Sequence, residues 1–157
     1  TRKESSAASD VYKRQSQIPT RWIDQGAHQA VAILEVPNRY LAGVAEVSLK
    51  EYFSDKTNWR KMLQNDHEEV SWEEAIYHAI DNLPKDLKPY LTRDHQLTEL
   101  QFPVLQYPKK VKSLNLEKEK SHSGVLKGIK GQYLIFEDQT VFNIRSNEGT
   151  VVEITIN

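Results

Sequence analysis

The chain has 157 residues, 38% of them apolar and 27% charged, with a formal net charge of −1 at pH 7. That composition belongs to folded globular chains and excludes the chain-wide basic field of a dedicated nucleic-acid binder. The absence of cysteine excludes disulfides and thiolate metal sites within this sequence. No apolar run approaches the roughly 20 residues needed to cross a bilayer, so a cytoplasmic location without a membrane partner is expected.

Thr1 to Gln15 is polar, rich in serine and alanine, and without apolar periodicity, so residues 1–15 are expected to be disordered. Within them Ser5 to Gln15 is similar to translated sequencing adapter and is set aside from fold reasoning. Pro19 to Ala27 reads as a short helix. Pro19 suits the first turn, Gly26 suits a left-handed C-terminus, and Trp22 and Ile23 are set to pack inward. Ala30 to Val36 is a short, nearly unbroken apolar run, which predicts a strand buried on both faces. Pro37 ends it, and Asn38 is a good N-cap for a helix whose stripe is Leu41, Val44, Ala45, Leu49, Tyr52 and Phe53. A shorter helix is expected over Thr57 to Gln64, capped by Asp55, with Trp59, Met62 and Leu63 inward. Ser71 followed by Glu74 forms a capping box for a helix over Ser71 to Asn82, stopped by Pro84. Lys85 to Asp94 is expected to hold at most one helical turn.

From Leu97 the period changes. Leu100 to Leu105 predicts an edge strand, because Pro103 would interrupt a central ladder. Val111 to Leu116, Val125 to Ile129, Gln132 to Phe136, Val141 to Ile144 and Val151 to Ile156 predict further strands, with turn composition at Glu137–Thr140 and Ser146–Gly149. Together these predict an α+β chain: an α/β part over residues 16–94, then a small antiparallel β-barrel-like domain over residues 95–157.

Charge is uneven along this layout. Arg60 to Glu99 carries five basic and nine acidic side chains, whereas Gln101 to Asn157 carries eight and six. Gly128-Ile129-Lys130-Gly131-Gln132 predicts a bulge or tight bend that could present Lys130 and Gln132 beside Asn143 and Arg145. Such a cationic face could hold a phosphate or a carboxylate, or it could simply be solvated. The five histidines, His28, His67, His78, His95 and His122, show no metal-ligand spacing.

Four blocks carry a family resemblance: Ile18 to Ala27, Asp55 to Arg60, Gly128 to Phe136, and Asn143 to Arg145. In them the chain resembles the bacterial family called domain of unknown function 2797, over Gln17 to about Glu153. Members of that family resemble this chain with a cysteine-rich segment, suggestive of a structural zinc site, and a strand pair similar to the tyrosine hairpin of GIY-YIG nucleases added upstream. The resemblance implies an N-terminally truncated GIY-YIG-like core. Arg21 then matches the catalytic arginine, Glu46 the glutamate that holds a magnesium ion, and Asn58 a later polar residue of the site, with Lys56, Lys130, Gln132, Asn143 and Arg145 as binding residues. On that resemblance the intact protein is expected to be nucleic-acid-associated and to use a divalent metal as Lewis acid, while this fragment, lacking the hairpin, is expected to be inactive. Read from the residues alone, Glu46 is equally a solvated helix residue four positions before Lys50, and the chain is equally a non-catalytic interaction or small-ligand module.

Overall fold

The computed structural model describes residues 23–54 and 56–156. Arg21, Trp22 and Asp55, and the whole of residues 1–15, lie outside the described residues. The fold is α+β. A helical turn at Ile23–Asp24 ends where Gly26 donates its N–H to the Ile23 carbonyl (2.9 Å) at φ 75°, the left-handed terminator expected there. The elements that follow are β1 (Gln29–Val31), α1 (Arg39–Leu49), α2 (Trp59–Leu63) and α3 (Trp72–Asn82), then a 3-10 turn (Lys85–Tyr90). They are followed by β2 (Leu97–Glu99), β3 (Lys112–Ser113), β4 (Leu126–Lys130), β5 (Tyr133–Phe136) and β6 (Thr140–Asn143).

Helix starts follow local chemistry. Asn38, Asn58 and Ser71 cap α1, α2 and α3, their side-chain oxygens accepting from the N–H groups of Leu41, Lys61 and Glu74. Asn58 caps the helix that carries Trp59, and the cap expected at Asp55 lies outside the described residues.

The expected strand buried on both faces is shorter and sits differently. Only Gln29–Val31 is strand, paired antiparallel with β2 in a two-stranded sheet and half-buried. Beyond it the backbone turns to the 3-10 segment. Glu35 donates to the Tyr90 carbonyl (2.9 Å), Thr92 to the Ile33 carbonyl (3.0 Å), and Leu34 bridges Leu91. This apolar run is therefore partnered by a turn, and its side chains join the helices. Val36, Ala42, Ala45, Leu83 and Leu87 form one buried cluster.

The C-terminal strands form an open four-stranded sheet in the order β3-β6-β5-β4, with β3 parallel to β6 and the other pairs antiparallel. Among the described residues it does not close into a barrel. Val104 makes only an isolated bridge to Gly128, and Val151–Ile156 carries no strand pairing and is exposed, so the strands expected at both places are absent. The expected bend is present twice: a register shift between Leu126 and Gly128, and a two-residue hairpin turn at Gly131–Gln132.

The second buried cluster joins Leu63 of α2 to Tyr133, Ile135 and Val141 of the sheet, with Trp59 stacked on Tyr133 (ring centroids 5.9 Å, 4° between planes). Both the β1–β2 pairing and this cluster connect residues on either side of Asp94. The N-terminal helical turn docks on the hairpin as well, where Gln132 donates its N–H to the Asp24 carbonyl (3.0 Å).

Candidate ligand-binding cleft

That docking builds a cleft of about 410 Å³, lined by the Gln25–His28 loop, by Asn58, Lys61, Asn65, Asp66, His67 and Glu68 on and beyond α2, and by Lys130 at the end of β4. Gly26 holds one wall close, since a Cβ there would overlap the thioether of Met62, which also lines the cleft. Asn65 also lines the cleft, and its φ of 57° is left-handed, a conformation that asparagine tolerates better than most residues.

Lys130 is the least expected of these residues. It is 3% exposed, whereas lysine is almost never fully buried without a charged partner. Its Nζ donates to Asn65 Oδ1 (3.0 Å) and lies 5.0 Å from the Tyr107 ring centre and 5.8 Å from that of Phe102. Those aromatic faces offset part of the desolvation cost of a cation. No carboxylate of the described residues forms an ion pair with it. Burial pushes the Lys130 amine below its ordinary 10.5.

Between the depressed folded value and 10.5 the unfolded chain binds more protons, so stability rises with pH across that window. The burial cost is fully present below the window and is gone above 10.5. Lys130→Met is expected to remove this rise. Urea unfolding of both proteins at neutral pH and near pH 10 measures it, and an identical pH slope in the two would contradict it.

Beside Lys130, the His28 and His67 rings are 4.2 Å apart, centre to centre. Burial, then the charges of His67 and Lys130, lower the His28 pKa from its ordinary 6.5, with Glu99 opposing. Two histidines 39 positions apart give no spacing signal, and their meeting was not legible in the sequence. Asn65 was missed as well, although Gln64-Asn65-Asp66 has the composition of a turn able to take a left-handed residue.

The residues singled out from sequence divide into two groups. Asn58 and Lys130 line the cleft. Gln132, Asn143 and Arg145 lie next to it: the Gln132 carbonyl accepts from Ile144 N–H (2.9 Å), so the hairpin turn and the end of β6 are neighbours. The Asn143 side chain is occupied locally, with Oδ1 accepting from Ser146 N–H (3.0 Å), and Arg145 is exposed. Lys130 thus belongs to the cleft and not to an open cationic face. Lys56 is exposed, with its N–H donated to Ser54 Oγ (3.3 Å), and does not line the cleft. Glu46 is half-buried on α1, also outside the cleft. Among the described residues no group of three or more His, Asp or Glu side chains is placed to hold a metal ion. A single carboxylate is a poor donor set for magnesium, so Glu46 does not fit a protein-held ion and no step is derived through one.

Among the described residues no helix is long and apolar enough to cross a membrane. The family model described as "Protein of unknown function (DUF2797)" matches residues 11–152, most of the chain. No curated protein and no solved structure matches.

Proposed function

From a chain that belongs to the DUF2797 family of proteins of unknown function, we propose a binding module whose cleft holds a small ligand bearing a phosphate or carboxylate group. The observation that carries this is Lys130, a buried amine on the cleft wall with an amide oxygen, and no carboxylate of the described residues, as its partner. A buried cation is stabilised most by an anion, and a ligand would supply one without the cost of a permanently desolvated carboxylate. Ligand sites are commonly concave and assembled at junctions between parts of a fold, as here.

A thermal melt in inorganic phosphate tests this. Wild type is expected to gain about 2–4 °C for each kcal/mol of binding linkage, and Lys130→Met is expected to gain nothing. An equal shift in both proteins, or none with either phosphate or acetate, would count against the cleft.

A second reading is nucleic-acid association on a nuclease-like scaffold. It is favoured by the convergence of the Asp24 turn, three residues after Arg21, with Gln132 and the Asn143–Arg145 end of β6. The order of helical turn, β1 and α1 bearing Glu46 supports the GIY-YIG comparison. On this reading an oligonucleotide binds with strong salt dependence, and the Arg21→Ala, Lys130→Ala, Arg145→Ala triple variant loses that binding. Retained binding by the triple variant argues against it.

A further inference from the structure

We propose that Lys130 is a carbonyl-trapping amine, so that the cleft takes a small aldehyde or ketone carrying an acidic group and joins it to Nζ as an imine. This rests on reading the cleft as a site for small acidic ligands and adds a covalent step to it.

The geometry is that of a nucleophilic lysine rather than of a surface charge. Nζ is buried on the cleft wall, and no carboxylate of the described residues holds it in the ammonium form. Desolvation is a recognised way of activating a lysine amine toward carbonyl carbon. An exposed lysine at pH 7 is neutral in only about one molecule in a few thousand, and each unit by which burial lowers its pKa raises that fraction roughly tenfold. Asn65 Oδ1 accepts one N–H of the amine and so orients it while leaving its lone pair uncommitted. The Asn65 backbone is left-handed, a conformation enriched where a chain is shaped around a site. Lys61, whose link to Glu68 is long (3.9 Å) and exposed, and the Asn58 amide line the same cleft and are available to the acidic group.

The step balances without an oxidant or reductant. The neutral Nζ lone pair forms the C–N bond, and the carbonyl π pair moves to oxygen, which takes a proton from nitrogen. The resulting carbinolamine then expels its hydroxyl with the second nitrogen proton as water, leaving the C=N bond.

The test uses the full chain with pyridoxal 5′-phosphate as the probe, pyridoxal as its phosphate-free counterpart, and cyanoborohydride to fix any imine as a secondary amine. After a short incubation at pH 7, peptide mapping is expected to place the larger share of adduct on Lys130 rather than on exposed Lys56 or Lys110. The preference is expected to weaken with pyridoxal. Lys130→Arg removes the nucleophile and is expected to lose the selective adduct, and the phosphate-induced melting shift of the wild type is read beside it. Labelling of Lys130 no greater than that of the exposed lysines overturns the proposal, whether or not the arginine variant folds. If the melting shift persists in that case, the small-ligand reading stands and only the covalent step fails. If both disappear, the cleft itself is wrong.

Discussion

Leu63→Ala is expected to lower the free energy of unfolding by about 3–4 kcal/mol, in the range measured for fully buried leucines that leave a cavity. Leu63 has no exposed surface and is the residue through which α2 enters the core of the C-terminal sheet, against Tyr133, Ile135 and Val141. Little can collapse into the space it would leave. On one side is the rigid stack of Trp59 on Tyr133, and on the other are the buried strand residues Ile135 and Val141. Val47→Ala, on the exposed face of α1, is the control and should change stability by no more than about 0.5 kcal/mol. Urea unfolding of the three proteins decides the matter. A loss below about 1 kcal/mol for Leu63→Ala would mean that α2 is not held in the sheet core, and the cleft wall built on α2 would then have no fixed position.

The second large effect falls on Gly131→Ala, expected to cost about 2–4 kcal/mol and to weaken phosphate binding with it. Two terms contribute. Gly131 has φ 58°, where a residue with a Cβ pays about 1–2 kcal/mol. In addition, the new methyl would overlap the Asp24 carbonyl oxygen and sit 2.9 Å from Gly26 N, so the N-terminal turn must lift off the hairpin. Lifting it breaks the Gln132–Asp24 hydrogen bond and displaces Gly26 and His28 from the cleft. Gly149 separates the two terms, because it is also left-handed (φ 86°) but has open space where a Cβ would go. Gly149→Ala should show the conformational cost alone, with phosphate binding intact. Equal losses in the two variants, by urea unfolding, would show that the close approach at Gly131 contributes nothing.

Comparison with the sequence divides along the distance over which each signal acts. Caps, turn residues and helical stripes depend on neighbours within four positions, and these were legible: Asn38 and Ser71 start helices, Gly26 ends one, and Gly131 turns a hairpin. The α+β class and the inward side of Trp59, Met62 and Leu63 followed from the same local periods. Where the sequence misled, backbone partners were at stake. Ala30–Val36 is apolar enough for a central strand, yet beyond Val31 its hydrogen bonds from Ala32, Ile33 and Glu35 go to Tyr90 and Thr92, and no local pattern specifies that pairing. The strand expected at Val151–Ile156 has the β-branched composition but no neighbouring ladder among the described residues.

The candidate site shows the same division more sharply. The sequence by itself determined that Lys130 sits at a glycine-flanked bend and that Asn58 stands at a helix start, and it marked both as worth attention. Only the tertiary structure decided that Lys130 is buried, that Asn65 receives its proton from 65 positions away, and that His28 meets His67. The reason is physical: burial and the electrostatics that follow from it are properties of whatever closes over a side chain. Here that cover includes Asn65, just beyond α2, and the rings of Phe102 and Tyr107, all of them distant from Lys130 in the chain.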